Sequence, residues 1–161
     1  GMAVVIIRED LLREPAPDLP IMLDYKLMAD KDSMYNTPNC WCIYVTDLVL
    51  EYIRSIGGVE EMARRNKMKA DALYACLDES RLFHAAVWPG SRSMMNVTFR
   101  TGDDALDAEF VKGAAERGMV NLKGHKKVGG MRASIYNNMP YEGVETLISY
   151  LKEFEAAHPA K

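Results

Sequence analysis

The stretch Gly124-His-Lys-Lys-Val-Gly-Gly-Met-Arg-Ala-Ser-Ile-Tyr-Asn137 decides how the second half of this chain folds. It places one histidine and two lysines between glycines and then continues as an apolar, strand-like run. Glycine permits close backbone approach and positive φ, and cationic donors suit phosphate or carboxylate oxygens. The stretch predicts a loop that either binds a small anion or is a solvated basic turn.

A single arginine, Arg132, stands in the strand-like part of this stretch. If the segment is a strand, Arg132 and Ser134 share one of its faces. The apolar Met131, Ala133 and Ile135 share the other face. Arg132 would then point away from the local core, toward a cleft or an interface, where its planar guanidinium can hold a carboxylate through two parallel hydrogen bonds.

On either side of this stretch, strand patterns alternate with helix patterns. One face of a predicted half-buried strand has Met95, Val97 and Phe99, and the other face has Met94, Asn96 and Thr98. The order strand, helix, strand, helix predicts an antiparallel sheet with helices on one face, which is an α+β fold. The predicted elements are strands over 93–100 and 130–136 and helices over 103–117 and 141–156.

Two amphipathic helices are predicted before this region, over 41–56 and 59–78, and Gly57-Gly58 separates them. The apolar stripe of the second helix includes Asn66, which we expect to be partly exposed or paired. The lysines, arginines and glutamates of this helix are expected on its other side. Because of its length, we interpret the second helix as a connector between subdomains.

The first 40 residues show less regular patterning. A β-branched run over 3–7 predicts a strand that is buried on both faces, and 9–12 predicts a short helical turn. Three prolines between 15 and 20 preclude regular structure there. We expect 21–40 to be polar and irregular, and a long segment of that kind is usually functional or a linker.

A second polar stretch, Ser33-Met-Tyr-Asn-Thr-Pro38, lies inside this irregular segment. Short polar side chains and free backbone N–H groups can hold phosphate oxygens. The same residues are also typical of an ordinary Asx-type turn. Both interpretations stay open at the level of this stretch alone.

The composition limits the possible partners. The formal net charge of −3 makes the positive charge near residue 125 a local feature, so we expect no nucleic-acid partner and no membrane partner. No apolar run approaches the roughly 20 residues that span a bilayer. The three cysteines cannot form a disulfide framework and lack the four-ligand spacing of a zinc site. We therefore expect no metal, and reduced thiols in the cytoplasm.

Together these stretches resemble the C-terminal part of the phosphoserine aminotransferase family, whose members are pyridoxal 5'-phosphate (PLP) enzymes of fold-type I. The matching segments follow the family's order with little gapping and cover nearly the whole chain. Besides the two stretches quoted above, they are Val4-Val-Ile-Ile-Arg-Glu-Asp-Leu-Leu12, Met22-Leu-Asp-Tyr-Lys26, Arg92–Arg100, Val120-Asn-Leu-Lys-Gly-His125 and Glu142-Gly-Val-Glu145.

The resemblance implies a reaction. Members of this family transfer an amino group between glutamate and 3-phosphohydroxypyruvate, which gives phosphoserine and 2-oxoglutarate in serine biosynthesis. Some members also act on the phosphorylated hydroxythreonine of vitamin B6 synthesis. The resemblance further implies a cytoplasmic homodimer that binds small-molecule substrates.

The resemblance also implies roles for five residues of this chain. The Asn-Thr pair of the second polar stretch is expected to reach the cofactor phosphate of the partner subunit. The arginine is expected to hold the substrate α-carboxylate, and the His-Lys pair the substrate phosphate, again across the dimer. The expected cofactor-binding residues are Asn36 and Thr37, and the expected substrate-binding residues are His125, Lys126 and Arg132.

Two departures from the family pattern change these expectations. The family has a His-Arg pair where this chain has His125-Lys126. Lysine keeps the positive charge but lacks the forked guanidinium of arginine, so we expect phosphate binding to be weaker or shared with Lys127. The family's Schiff-base lysine precedes the strand that matches 3–7, and none of Lys26, Lys31 and Lys123 matches it. We therefore expect no catalytic residue in this chain and no activity from the chain alone.

The resemblance suggests a division into three segments. Residues 1–40 are expected to be a remnant of the large PLP-binding domain, 41–80 the connecting helices, and 81–161 a small α+β domain. Without the sheet of the large domain, the apolar face of 3–7 would be exposed, and we expect that segment to be rearranged, swapped or paired between chains. We interpret the chain as a truncated fragment of the enzyme. A non-catalytic anion-binding module and an oligomerisation module derived from the same fold stay open as alternatives.

Overall fold

The structure is a computed structural model that describes residues 1–158. The chain folds into two compact units, residues 1–55 and the chain from Ile56 onward. These units differ from the three segments inferred from the family resemblance, and the assignment of 1–40 to a large-domain remnant stays a prediction. No helix of the described residues is long and apolar enough to cross a membrane.

The first unit is built from helices. Asp24 caps the N-terminus of one of them, because its carboxylate accepts a hydrogen bond of 2.9 Å from the backbone N–H of Leu27. We predicted irregular structure over 21–40 and missed this cap. The helices are two short 3-10 segments, Glu9–Leu11 and Ile21–Leu23, followed by α1, Tyr25–Asp30, and α2, Cys40–Ser55.

The prediction of a strand over 3–7 is wrong for this structure. These residues adopt no regular secondary structure, and all of them are exposed, with Ile6 at 96%. A strand needs a neighbour for its backbone N–H and C=O groups, and within residues 1–158 no strand pairs with this segment. Its apolar side chains are exposed, as expected for this segment without a partner sheet.

The second unit confirms the predicted α+β arrangement. Its three strands form an antiparallel sheet in the order β1-β2-β3. β1 and a short 3-10 segment, Pro89–Ser91, have no counterpart in the sequence prediction, because two or three residues are too few to show periodicity. The elements are α3, Gly58–Glu79; β1, His84–Ala85; β2, Asn96–Arg100; α4, Asp104–Glu116; β3, Met131–Ser134; and α5, Tyr141–Ala157.

The α-helices α3, α4 and α5 pack on one face of the sheet. Phe99 of β2 and Met131 of β3 are 1% exposed and belong to a single apolar core. That core also contains Leu73 of α3, Phe110 of α4 and Leu151 of α5. The second amphipathic helix is therefore part of the core of this unit and does not act only as a connector.

Gly57 lies between α2 and α3, and Gly58 is the first residue of α3, so the glycine pair marks the break between the two helices that the sequence predicts. Their φ angles are +113° and +79°, which lie in the left-handed region that favours glycine. The first compact unit ends at Ser55, so these glycines lie close to the division between the units.

Candidate anion-binding site

The face of the sheet opposite the helices carries polar side chains. Arg132 and Ser134 are half-buried, whereas Met131 and Ala133 are buried in the core, so the alternation predicted from the sequence is confirmed. On β2, Thr98 lies opposite Arg132 in the antiparallel register. We refer to this surface, formed by Asn96, Thr98, Arg132 and Ser134, as the open face.

Arg132 is the cation at the centre of the open face. Its Nε atom is shielded from solvent and has no hydrogen-bond partner among residues 1–158. A shielded N–H without an acceptor costs on the order of 1–3 kcal/mol, which an incoming acceptor can offset. Guanidinium groups bind carboxylates through two parallel N–H bonds. Arg132 therefore has the chemistry of a residue that binds a carboxylate.

A hydrogen-bond network lies next to Arg132 on the open face. The side-chain oxygen of Asn96 accepts a bond of 3.3 Å from the Ser134 hydroxyl and one of 3.1 Å from the Tyr136 hydroxyl. Sequence reasoning placed Asn96 on the polar side of its strand but gave it no role. The strand register, which brings Asn96 opposite Ser134, was the missing information.

The basic loop is closed by its own backbone. The N–H of Gly124 donates to the carbonyl of Gly130 at 2.8 Å, and the N–H groups of Val128 and Gly129 donate to the carbonyl of His125 at 2.9 Å. A β-carbon on Gly124 would lie 2.1 Å from the carbonyl oxygen of Gly129, so only glycine fits there. His125 and Lys126 are exposed on this closed loop.

Backbone bonds connect the loop to the strand that carries Arg132. The backbone N–H of Arg132 donates to the carbonyl of Leu122 at 2.7 Å, and Lys123 forms an isolated bridge with Met131. The structure therefore brings His125, Lys126 and Arg132 into one hydrogen-bonded segment of the second unit.

A cavity of about 360 Å³ adjoins the loop, and its walls include residues of both charges. His125 and Lys126 line it from the loop, and Asp104 and Asp107 line it from the start of α4. The Asp107 carboxylate already accepts two bonds of 2.8 Å, from the N–H and the hydroxyl of Thr101. The histidine and lysine side chains are exposed and can donate to an anion, whereas the carboxylates of Asp104 and Asp107 both oppose it.

The two residues expected to bind the cofactor, Asn36 and Thr37, belong to the first compact unit, whereas the substrate-binding candidates belong to the second. Both are exposed. They follow a tight reversal in which Ser33 has a φ of +62°. The amide nitrogen of Asn36 lies 3.0 Å from the sulfur of Met22, which is a weak acceptor.

The described residues contain no group of three or more His, Cys, Asp or Glu side chains that could hold a metal ion. All three cysteines are free thiols. Burial raises the pKa of the Cys76 thiol, which keeps it protonated in the core.

Comparison with known proteins agrees with the resemblance seen in the sequence. The family described as aminotransferase class-V matches residues 1–147. The chain belongs to the class-V aminotransferase family. Within that family, it is similar to phosphoserine aminotransferases from several bacteria.

The chain is 52% identical over 158 residues to the phosphoserine aminotransferase of Lactiplantibacillus plantarum, a match that covers 98% of the chain and 44% of that protein. It is 50% identical over 155 residues to the enzyme of Bacillus cereus, which covers 96% of the chain and 43% of that protein. The chain therefore spans under half the length of these relatives.

Solved structures of the same family have a matching fold. Phosphoserine aminotransferase from Bacillus circulans subsp. alkalophilus superimposes with a TM-score of 0.88 at 42% identity, over 94% of the chain and 42% of that structure. The PLP-bound enzyme from Trichomonas vaginalis gives a TM-score of 0.84 at 37% identity, over 91% and 42%. Both comparisons confirm the predicted fold class.

Proposed function

We propose that this chain forms part of a PLP-dependent phosphoserine aminotransferase, which exchanges an amino group between glutamate and 3-phosphohydroxypyruvate. The observation that carries the proposal is Arg132, a cation on the open face whose shielded Nε has no partner among residues 1–158. The similarity to phosphoserine aminotransferases supports the same reaction class.

In the proposed reaction, Arg132 binds the substrate α-carboxylate and fixes the orientation of the amino-bearing carbon. His125 and Lys126 bind the substrate phosphate from the basic loop. The Nδ1 atom of His125 is 3.2 Å from the backbone N–H of Lys127 and accepts from it, so the proton of the neutral ring is on Nε2, where it can be donated to a phosphate oxygen. Lys126 supplies a full positive charge with three donors.

The residues available for the cofactor fit its phosphate group. Asn36 and Thr37 offer an amide and a hydroxyl donor on an exposed reversal, and the acceptor bonded to the Asn36 amide is a weak one, a thioether. PLP, when it is bound, supplies an electron sink for the bond changes at the substrate α-carbon. We propose that these two residues hold its phosphate from the partner subunit of a homodimer in the cytoplasm.

We further propose that the chain does not transaminate by itself. No lysine in it matches the position of the family's Schiff-base lysine. Lys69 is the one buried lysine among residues 1–158, and its amine is already bonded to backbone carbonyls. Mixing the chain with PLP and glutamate should produce no 2-oxoglutarate, and measurable turnover would contradict this proposal.

Isothermal titration of the chain with phosphoserine tests the substrate-binding role. We expect saturable binding, a loss of at least tenfold in affinity in Arg132→Ala, and wild-type affinity in Arg81→Ala, which removes an exposed arginine near the end of α3. Wild-type affinity in Arg132→Ala would refute the assignment. A dimer in native mass spectrometry without any ligand affinity would favour the oligomerisation module instead.

A further inference from the structure

Lys69, in the middle of α3, is a buried lysine that bonds only to backbone. It is 2% exposed, and its ammonium donates to the carbonyls of Tyr136 at 2.7 Å and Met139 at 3.0 Å, with the carbonyl of Asn137 at 3.4 Å. Within residues 1–158 it pairs with no carboxylate. The three donors of one ammonium group therefore face the carbonyls of one turn.

A charge in this position is costly, which makes its presence informative. Lysine is almost never fully buried unless it is paired, and burial lowers the pKa of Lys69. A leucine or methionine at the same place on the helix would add apolar packing without that cost. Only the ammonium can fix the geometry of the turn over 136–139, because it donates hydrogen bonds to the carbonyls of that turn.

Asn66, one helical turn before Lys69, holds the same turn at a second point. It is 5% exposed, and its amide donates to the side-chain oxygen of Asn137 at 2.7 Å. Residues three apart share one helix face, so α3 contacts the turn through two adjacent polar groups. The expectation that Asn66 is partly exposed or paired is confirmed for its amide nitrogen, whereas its side-chain oxygen is buried without a partner among residues 1–158.

The turn held by α3 is directly connected to the open face. Tyr136 is bonded at both ends: its carbonyl accepts from Lys69, and its hydroxyl donates to the side-chain oxygen of Asn96. That oxygen also accepts from Ser134, which shares the open face with Arg132 and lies two residues after it on β3.

We propose that Lys69 is a positioning residue for the carboxylate-binding face. By fixing the 136–139 turn, it fixes Tyr136, which holds Asn96 against Ser134 on the open face that also carries Arg132. The ligand class is an amino acid or 2-oxo acid with a carboxylate on Arg132 and a second anionic group on the basic loop. This inference rests on the proposed function, because it assumes that Arg132 binds a carboxylate.

A double-mutant cycle on the full chain tests the connection. Lys69→Met removes the ammonium and keeps most of the length of the side chain, and Tyr136→Phe removes only the hydroxyl of a half-exposed ring. We expect each change to weaken phosphoserine binding about tenfold and the double variant to be no weaker than either, because both break one path. Lys67→Met, an exposed lysine on the same helix, is the control and should bind as the wild type does.

Inorganic phosphate serves as the second probe, because it needs the basic loop but not Arg132. We expect its affinity to be unchanged in Tyr136→Phe and Lys69→Met, whereas a general loss of structure would weaken both ligands. If Lys69→Met does not fold, Tyr136→Phe carries the test, with an unchanged melting temperature and weaker phosphoserine binding as the expected result.

The two proposals fail in different ways. If the wild type does not bind phosphoserine, the proposed substrate-binding role of this chain is wrong and the positioning role falls with it. In the other case, the wild type binds phosphoserine and Arg132→Ala does not. If Tyr136→Phe and Lys69→Met then bind phosphoserine normally, or if their losses in affinity are independent and additive, only the positioning role is overturned.

Discussion

The hydroxyl of Ser80, which directly follows α3, donates a hydrogen bond of 2.8 Å to the carboxylate of Glu155 on α5. The same hydroxyl oxygen accepts from the backbone N–H of Phe83 at 2.8 Å. Glu155 also accepts from the backbone N–H of Arg81 at 2.7 Å. Two residues 75 positions apart therefore join the end of α3 to α5. They also accept hydrogen bonds from the backbone N–H groups of residues that follow the helix.

Removing this hydroxyl should destabilise the second unit. We expect Ser80→Ala to lower the free energy of unfolding by about 1–3 kcal/mol, because it leaves backbone N–H groups without an acceptor. Urea unfolding monitored by circular dichroism measures the change. Ser149→Ala, an exposed serine on α5, should change stability by no more than about 0.5 kcal/mol. Equal effects of the two substitutions would contradict the structural role of Ser80.

Glu61, in the first turn of α3, should make stability depend on acid pH. Hydrogen bonds from Arg64 and Arg65 lower the pKa of its carboxyl from 4.5 to about 2. The folded-state pKa is below the unfolded one, so the carboxylate contributes stability that is fully present above pH 4.5. That contribution is lost as the pH falls from 4.5 toward 2.

Comparing the wild type with Glu61→Gln at several pH values tests this. The difference in unfolding free energy between the two should be largest near neutral pH and should shrink as the pH approaches 2. Glu60→Gln, which removes an exposed carboxylate from the same turn, controls for the change in net charge. A difference for Glu61→Gln that stays constant with pH would rule out the ion pairs as its cause.

Gly124 should be intolerant of substitution in a way that its neighbour Gly129 is not. A β-carbon at Gly124 would lie 2.1 Å from the carbonyl oxygen of Gly129 and 2.7 Å from that of Gly130, whereas one at Gly129 meets no atom within 4 Å. Gly129→Ala meets no steric clash, and its only cost is the left-handed φ of +75°, which destabilises an alanine by about 1–2 kcal/mol.

We therefore expect Gly124→Ala to open the basic loop and to weaken phosphate binding by His125 and Lys126 more than Gly129→Ala does. Titration of both variants with inorganic phosphate, together with their melting temperatures, gives the comparison. Equal phosphate affinities in the two variants would show that the closed loop geometry does not matter for the anion.

Phe110 of α4 should be the most sensitive position of the core. It is fully buried, and its ring centroid lies 5.0 Å from that of Phe83, 4.7 Å from Tyr150 and 5.2 Å from Phe154. We expect Phe110→Ala to cost about 3–5 kcal/mol in unfolding free energy, because it leaves a cavity among these rings. Urea unfolding measures the loss. The control Val120→Ala, at a residue 67% exposed, should stay within about 0.5 kcal/mol, and a similarly small cost for Phe110→Ala would contradict the packing.

The sequence alone predicted most elements of the second unit and the side of β3 on which Arg132 lies. These predictions succeed because apolar periodicity records which side of each element is buried, and that information is local to the element. The family resemblance added the residues of the candidate site, because its motifs match those positions directly. Their roles in binding remain predictions.

Three features required the tertiary structure. The run over 3–7 has the composition of a buried strand, but a strand forms only where another strand supplies hydrogen-bond partners, and residues 1–158 contain none for it. Only the register of β2 and β3 shows that Asn96 lies opposite Ser134, on the face that carries Arg132. Lys69 reads as an outward-facing charge on α3, yet it is buried, because its donors match carbonyls of a turn about 70 residues later in the chain.

The basic loop and Arg132, which first indicated an anion site, were identified from the sequence because their chemistry is contained in adjacent residues. The network on the same face of the sheet was decided by the fold, since its groups come from α3, β2 and the turn after β3. Side-chain chemistry is a property of single residues, whereas the position of a side chain depends on contacts between segments that are distant in the chain.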